Sequence, residues 1–342
     1  MLAVQIARHG GPEVLECTEI PRPDPGPGEV RVRVAAVSLN HLDVWVRRGM
    51  PGVEIPLPHV PGCDGTGVVD AVGADVGGVD VGDPVMLEPG FTLEDGREVE
   101  EGNDHLAPDY GIRGEHAHGF AAEFVCLPER YVRRLPEGVD LVDCAAIPLV
   151  FLTAWGMLVT RAHVHPDESV LVIGAASGVG SAAIQIAKAE GCHVVATAGS
   201  DAKRALGTEL GADAVVDHRQ DDWPKRAKEF SGGRGFDVVI EHVGPATWAG
   251  SLRSLAPGGR LVTCGGTTGA NVSLSLPHLF MKNQSILGST MGPRSAFSEI
   301  LPAVERGAFR PVVDRRLPIE EVREAHRLLE AREVIGKVVL TF

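Results

Sequence analysis

Three glycines, Gly174, Gly178 and Gly180, lie in one short turn of the segment SVLVIGAASGVGSAAIQIAKAEG (169–191). Glycine has no Cβ, so the backbone N–H groups of such a turn can approach the oxygens of a pyrophosphate closely. The helix predicted directly after the turn adds the positive end of its dipole, which favours an anion. The spacing therefore predicts a phosphate-binding site for a dinucleotide.

A second group of polar residues follows the next predicted strand, which ends at Ala198. No carboxylate stands at the strand tip, where an acid usually binds the 2′-hydroxyl of NAD. Hydroxyl groups and cations suit a 2′-phosphate instead. Such side chains here are Ser200, Lys203, Arg204, His218 and Arg219. The sequence favours NADP(H) as cofactor, with NAD(H) as the alternative if Asp201 binds the ribose and the cations are ordinary exposed residues.

The elements around the glycine turn have the order of a βαβ unit. The apolar run Val170–Ile173 predicts a buried parallel strand, an apolar stripe predicts a helix that ends near Gly191, and the next strand begins at His193. A glycine turn of another α/β domain remains the alternative reading. Further strands are predicted at Ala214–Val216, Asp237–Ile240, Arg260–Cys264 and Ser285–Leu287. Together they indicate a doubly wound sheet of about six strands.

The first part of the chain is predicted to be all-β. Glu29–Val37 alternates as EVRVRVAAV, and Thr66–Val72 has the same character. A helix is predicted around Glu320–Glu330, and the final strand KVVLTF is expected to return to the first domain. The predicted domains are 1–145 with 294–342, and 146–293.

Composition restricts the class of protein. The 342 residues carry a net charge of −14, which argues against binding to nucleic acid or to anionic membranes. No apolar run of 18 or more residues is seen, so a membrane span is not expected. The six cysteines include no CxxC pair, so neither a disulfide framework nor a zinc ribbon is predicted. A cytoplasmic protein is the expectation.

Several motifs in colinear order carry a family resemblance over nearly the whole chain. They are PHVPGCDGTGVVDAVGADV, GEHAHGFAAEFVCLP, IPLVFLTAWGML, VLVIGAASGVG, SLAPGGRLVTCGG and GKVVLTF. The chain resembles the medium-chain dehydrogenase/reductase superfamily, between its quinone oxidoreductase branch and its zinc-type alcohol dehydrogenase branch. The resemblance implies an α/β protein with a GroES-like β-barrel catalytic domain and a Rossmann domain.

The resemblance places Asn40, Cys63 and Leu149 where the zinc branch holds its catalytic metal. Leucine cannot ligate zinc, and a carboxamide is a poor ligand beside thiolate or imidazole, so catalytic zinc is not expected. An improvised site remains the alternative, and its candidate ligands are His41, Asp43, His59, Cys63 and Asp64.

The second, structural zinc site of that branch is a lobe with four cysteines. The corresponding positions here are Leu93, Gly96, Val99 and Ala107. Without thiolates the lobe is expected to hold no metal and to be ordered by packing. Nearby histidines, which can bind metal or be ordinary loop residues, are His105, His116 and His118.

The implied function is hydride transfer between NAD(P)H and a small carbonyl, enone or quinone substrate, without zinc. Asn40 is the candidate donor to the developing oxyanion, or alternatively a helix cap. Asp43 is expected to orient it, with Cys63 and Asp64 in the same cleft. The two other functions considered are a zinc-type alcohol dehydrogenase with an altered site and a non-catalytic NADPH-binding protein.

Further cofactor neighbours and an oligomeric state are implied by the resemblance alone. The implied neighbours are Thr153, Ser177, Val179, Val243, Gly265 and Lys337. The segments SLSLP (273–277) and GST (288–290) resemble the edge through which Rossmann domains pair. A homodimer or homotetramer is therefore expected.

Overall fold

A computed structural model describes residues 1–50 and 52–342 of the chain. The strands are β1 (Leu2–Ile6), β2 (Leu15–Glu19), β3 (Glu29–Ser38), β4 (Asp64–Val72), β5 (Pro84–Leu87), β6 (Gly90–Phe91), β7 (Gly111–Ile112), β8 (Phe124–Pro128), β9 (Val132–Arg134), β10 (Ser169–Val172), β11 (His193–Ala198), β12 (Ala214–Asp217), β13 (Phe236–Glu241), β14 (Leu255–Thr263), β15 (Ser285–Gly288), β16 (Val313–Pro318) and β17 (Lys337–Thr341). The helices are α1 (His41–Arg48), α2 (Arg97–Glu100), α3 (Pro148–Trp155), α4 (Gly178–Ala189), α5 (Asp201–Glu209), α6 (Trp223–Glu229), α7 (Pro245–Ser254), α8 (Leu276–Met281), α9 (Phe297–Glu305) and α10 (Val322–Glu330).

The chain forms two compact units. The first unit comprises Met1–Leu149 with Pro293–Phe342, and the second unit is Val150–Gly292. The predicted boundary after residue 145 falls instead within a 3₁₀ turn, Asp143–Ala146. That turn stays with the first unit because Ala145 and Ala146 are buried against β3 and β17.

The second unit contains a six-stranded parallel sheet in the order β12-β11-β10-β13-β14-β15. The chain starts at β10, runs outward to β12, and then crosses back to β13 on the other side of β10. Its six strands lie where the apolar runs predicted them, since strands buried on both faces need continuous apolar side chains. The prediction of a doubly wound Rossmann sheet is confirmed.

The first unit contains a seven-stranded sheet in the order β16-β17-β3-β4-β5-β9, with β8 also paired to β3. The β3 strand spans ten residues and buries Val30, Val32 and Val34 in the core of this unit. The last strand, β17, pairs with β3 in antiparallel fashion. The terminal strand therefore returns to the first unit, as predicted, and brings Lys337 into it.

One helical run is long and apolar, although no membrane span is predicted from the sequence. Asp143–Arg161 is 19 residues long with a mean hydropathy of 1.6, enough by length and composition to cross a membrane. Within that window 78% is buried. Since most of the run is buried inside the protein, packing in the core accounts for its apolar composition.

Candidate active site

The glycine turn of the second unit is built around Ser177, the N-cap residue of α4. Ser177 Oγ accepts a hydrogen bond from Gly180 N at 2.9 Å and lies 2.9 Å from the carbonyl oxygen of Gly174. Gly174 has a φ of +77°, which favours glycine. A Cβ on Gly180 would overlap that same carbonyl oxygen. The turn therefore requires glycine at both positions, and it leaves a close backbone surface at the start of a helix.

His242 supports this turn and was not singled out from the sequence. Its Nε2 lies 3.1 Å from Ser177 Oγ. If the hydroxyl proton of Ser177 goes to Gly174, the network is satisfied with His242 as the donor to Ser177. Burial of the ring lowers the pKa of His242. Its place directly after β13 is the one signal in the sequence that could have identified it.

The predicted cofactor residues gather at one edge of the parallel sheet. Carboxyl ends of parallel strands meet at the same edge, and ligands bind there at the point where strand order reverses. Five of the predicted residues lie within two residues of the ends of five neighbouring strands: Gly174, Ser200, His218, Val243 and Gly265. Gly178, Val179 and Gly180 form the first turn of α4 at that edge.

The predicted ribose end of this edge has a defined hydrogen-bond network. Ser200 is the N-cap of α5, and its Oγ accepts from Lys203 N at 3.3 Å. Thr197 Oγ1 accepts from Gly174 N at 3.1 Å and lies 3.1 Å from His218 Nδ1. The glycine turn and His218 are thus joined through one threonine hydroxyl.

The remaining predicted cofactor neighbours of the second unit have structural partners. Val243 N donates to the buried carboxylate of Glu241 at 2.7 Å. Thr153 is buried, with its hydroxyl 3.7 Å from Met291 Sδ. The carbonyl oxygen of Gly265 accepts from Thr263 Oγ1 at 3.3 Å.

In the first unit, the residues expected at the catalytic position form one buried cluster. Asn40 Nδ2 donates to Asp64 Oδ2 at 2.8 Å and lies 3.3 Å from Cys63 Sγ. The ammonium of Lys337 donates to Asn40 Oδ1 and, at 3.1 Å, to Asp64 Oδ2. Leu149 N donates to Asp64 Oδ1 at 2.7 Å. Hydrogen bonds therefore connect four side chains of this cluster: Asn40, Cys63, Asp64 and Lys337.

Lys337 has a position that motif matching did not indicate. The resemblance implies a cofactor neighbour, which stays a prediction; the structure adds that its side chain is 5% exposed and paired with Asp64. A buried lysine needs a carboxylate partner, because an unpaired ammonium is expensive to bury. That rule predicts a partner for Lys337 but does not say which, since Asp64 lies 273 residues away in the chain.

Asp43 positions this cluster through the start of α1. Asn40 is the N-cap residue of α1, and Asp43 Oδ2 accepts from Asn40 N at 2.7 Å. Its other oxygen accepts from Gly62 N at 3.1 Å, directly before Cys63. Asn40 thus occupies the helix-cap position that was the alternative to its catalytic role, and Asp43 connects it to the Cys63 segment.

Burial gives Asp43 an unusual titration. Desolvation raises the pKa of this carboxyl from 3.8 to about 6. The folded state then holds a proton that the unfolded chain releases, so stability should fall between about pH 4 and pH 6, by up to about 3 kcal/mol. An Asp43→Asn variant lacks this titration. Urea unfolding of both proteins across this range should show the wild type losing stability relative to the variant as pH rises, and parallel profiles would contradict the assignment.

The cluster does not fit a catalytic zinc. Of the three residues at ligand positions only Cys63 can ligate zinc, since Leu149 has no donor atom in its side chain and a carboxamide such as that of Asn40 is a poor ligand. Asp64 already accepts from Lys337, Asn40 and Leu149. Across residues 1–50 and 52–342, no three His, Cys, Asp or Glu side chains converge as a metal site.

In the lobe that lacks the four cysteines, a carboxylate holds the loop by accepting backbone hydrogen bonds. Asp109 Oδ2 accepts from Leu93 N at 2.7 Å and from Glu94 N at 2.8 Å. The expectation that packing alone orders the lobe is therefore incomplete, because Leu93 itself is 75% exposed. Hydrogen bonds that the carboxylate of one aspartate accepts from the backbone close the loop as well.

The histidines near the lobe are engaged with the backbone. His116 Nδ1 accepts from Ile112 N at 3.1 Å, and His118 Nδ1 accepts from Val60 N at 3.2 Å. His59 Nε2 lies 3.0 Å from the carbonyl oxygen of Gly114, and His105 is buried. Since three of these rings hold backbone groups, they serve the fold of this region rather than a shared ligand position.

Comparison with known proteins agrees with both units. Residues 26–137 match the family model described as alcohol dehydrogenase GroES-like domain, and residues 178–306 match the one described as zinc-binding dehydrogenase. Quinone oxidoreductase of Pseudomonas aeruginosa is 32% identical over 349 residues, which cover 98% of this chain and 98% of that protein. The chain is a medium-chain dehydrogenase/reductase. The human quinone oxidoreductase is 30% identical, over 99% of this chain and 97% of its own length.

Solved structures give the same family assignment. A crystal structure of an NAD-dependent alcohol dehydrogenase is 48% identical, covers 100% of both chains and superposes with a TM-score of 0.97. A cobalt- and zinc-bound thermostable alcohol dehydrogenase from Pyrobaculum aerophilum is 34% identical with a TM-score of 0.90, over 100% of this chain and 99% of that one. This medium-chain dehydrogenase/reductase is therefore an NAD(P)-dependent oxidoreductase with a GroES-like domain and a Rossmann domain. The glycine turn fits such a cofactor, because Gly174 has a positive φ and Gly180 packs directly on its carbonyl oxygen, which puts the N-terminus of α4 close behind β10, where a pyrophosphate binds.

Proposed function

We propose that this protein transfers hydride between NAD(P)H and a small carbonyl, enone or quinone substrate without a catalytic metal. The observation that carries the proposal is the buried Lys337 ammonium, which bonds to Asn40 and Asp64 in the cluster at the positions where the zinc-type branch holds its metal. An ammonium held by a carboxylate supplies a hydrogen-bond donor from the chain itself. Whole-chain similarity to quinone oxidoreductases supports the same branch.

The reaction needs a donor for the negative charge that develops on the substrate oxygen. Bound NAD(P)H supplies the hydride. An ammonium has three donors, of which two bond to Asn40 and Asp64 among the described residues. Lys337 is therefore the proposed donor to the substrate oxygen, in place of the Asn40 amide, whose N–H groups face Asp64, Cys63 and Ser38. Asn40, Asp43 and Asp64 position it, and Cys63 lines the site as a thiol.

The cofactor that we propose is NADP(H) in preference to NAD(H). The support is the set of cations at the ribose end, Lys203, Arg204 and Arg219, together with His218 and the hydroxyl of Ser200. The hydroxyl stands at an α5 N-terminus, where phosphate is favoured. The 48% identical relative, described as NAD-dependent, makes NAD(H) the alternative.

Metal independence is the decisive test of this mechanism. We expect NADPH oxidation with a quinone, an enone or an aldehyde acceptor to survive dialysis against a strong chelator, because no step uses a metal. Absorbance of NADPH measures the rate, and elemental analysis of the same sample measures zinc. Stoichiometric zinc that remains after dialysis, with activity lost when it is stripped, would support the zinc-type alcohol dehydrogenase instead. Tight NADPH binding with no turnover of any acceptor would support the non-catalytic alternative.

We further propose a cytoplasmic homodimer or homotetramer. The support is an apolar patch at and before α8, the segment that resembles a pairing edge. Its exposed members are Val272, Leu274, Leu276, Phe280 and Met281. Exposed large apolar side chains gathered in one segment often mark a protein–protein interface. Light scattering that gives a monomer mass at micromolar concentration would contradict the oligomer.

A further inference from the structure

The C-terminal end of β12 carries a carboxylate that the sequence motifs did not indicate. Asp217 is the last residue of β12 and lies in register with Ala198, the last residue of β11. The ends of these two strands form the region where a Rossmann sheet meets the ribose of its nucleotide. Asp217 therefore belongs to the part of the site that distinguishes NADP from NAD.

Two arginines converge on this one carboxylate. Arg219 grips it as a fork, with Nε 3.0 Å from Oδ1 and Nη2 2.8 Å from Oδ2, and adds its backbone N–H at 3.0 Å. Arg204 Nη1 lies 3.2 Å from Asp217 Oδ2. The hydrogen bonds from Arg219 strongly lower the pKa of Asp217, which is ionised at neutral pH.

The carboxylate of Asp217 occupies the role that the 2′-phosphate of the proposed cofactor would have toward these arginines. Arginine binds carboxylate and phosphate through the same two-pronged arrangement, so a carboxylate can hold a guanidinium in the position that a phosphate would use. A phosphate dianion that approached these arginines would also meet the negative charge of Asp217. One aspartate thus orders the cations and competes with their anionic ligand.

We propose that Asp217 is a specificity-determining residue: it holds Arg204 and Arg219 and weakens their binding of the 2′-phosphate. This inference rests on the proposed NAD(P)-dependent function. The carboxylate of Asp217 acts as an internal substitute for that phosphate. Specificity of this kind is set by a repulsive element as much as by an attractive one. The protein should therefore bind NADH as well as NADPH, with a ratio that Asp217 controls.

The test is a set of nucleotide affinities measured by fluorescence titration, without turnover. In Asp217→Asn the dissociation constant for NADPH should fall about tenfold, because the arginines lose a competitor and the phosphate loses a repulsive charge. The constant for NADH should change by less than about twofold, since NADH has no 2′-phosphate. Competition by 2′,5′-ADP and by 5′-AMP isolates the adenosine half and should show the same contrast.

Two further variants make the result specific. Glu229→Gln is the control for the removal of one negative charge, because Glu229 is an exposed acid at the C-terminal end of α6 in the same unit; it should shift neither nucleotide by more than about twofold. In an Arg219→Gln background the gain from Asp217→Asn should largely vanish, as a double-mutant cycle requires for coupled residues.

The possible outcomes distinguish a wrong role for Asp217 from a wrong proposed function. An unchanged ratio of NADPH to NADH affinity in Asp217→Asn, or an equal gain in the Arg219→Gln background, overturns the role of Asp217. If Asp217→Asn does not fold, Arg219→Gln alone decides, because NADPH affinity that survives its loss also overturns the proposal. Failure of the wild type to bind either nucleotide refutes the proposed function and this inference together.

Discussion

Replacing Lys337 with methionine should destabilise the protein by about 3–5 kcal/mol, the range found when one partner of a buried ion pair is removed. Methionine keeps most of the side-chain volume but leaves the carboxylate of Asp64, which is 0% exposed, without its cation. It also frees Asn40 Oδ1, which accepts from Lys337. Urea unfolding of the wild type and the variant measures the loss, and NADPH oxidation should fall with it because the proposed donor is gone.

A surface ion pair provides the control for Lys337. Arg97 and Glu101 are 80% and 50% exposed and 2.7 Å apart, so Arg97→Met should cost less than about 1 kcal/mol. The double variant Lys337→Met with Asp64→Asn should recover part of the loss, since no buried charge then lacks a partner. If Lys337→Met costs no more than Arg97→Met, or the double variant is no better than the single one, the ion pair does not hold this cluster together.

The parallel sheet could be predicted because its evidence is local. Each strand of the second unit is a short apolar run, and each predicted strand appears in the structure at nearly the predicted bounds. The glycine turn is equally local, since Gly174, Ser177 and Gly180 contact one another within seven residues. The order of β10, turn and α4 then fixes where phosphate can bind.

The first-unit cluster could be predicted only in part. Motif matching brought Asn40, Cys63 and Asp64 together correctly, because the three lie near the ends of neighbouring strands β3 and β4. It carried Lys337 over as a nicotinamide or phosphate neighbour, which stays a prediction, and it did not indicate the bond to Asp64, since the motif that carries Lys337 says nothing about which side chain its amine meets. The contact depends on how β17 pairs with β3, and a one-residue change of register would turn the lysine to the opposite face.

The ribose end shows a different limit. The bonds between Asp217 and Arg219 span two residues and were visible in principle in the sequence DHR. Arg204 reaches the same carboxylate from α5, which requires the parallel register of β11 with β12. Counting cations near a strand tip therefore leaves out their acidic partner, which for Arg204 comes from a neighbouring strand.

Replacing Gly180 with alanine should weaken NADPH and NADH binding together, by about a hundredfold or more, since this turn serves the phosphates that both nucleotides share. An added Cβ would overlap the carbonyl oxygen of Gly174 and lie 2.8 Å from Ser177 Oγ, so the turn and α4 must move apart. The hydrogen bond from Gly180 N to Ser177 Oγ would then be strained or lost. Fluorescence titration with each nucleotide measures the effect.

Gly77→Ala is the control, because a Cβ at Gly77, in the first unit, would meet nothing within 4 Å. It should leave both affinities unchanged. Urea unfolding distinguishes a displaced turn from a lost fold: overpacking at Gly180 should cost about 1–3 kcal/mol, which a domain of this size survives. Normal affinity for both nucleotides in Gly180→Ala would mean that the phosphates bind elsewhere, and a loss confined to NADPH would assign the glycine turn to the 2′-phosphate rather than to the pyrophosphate.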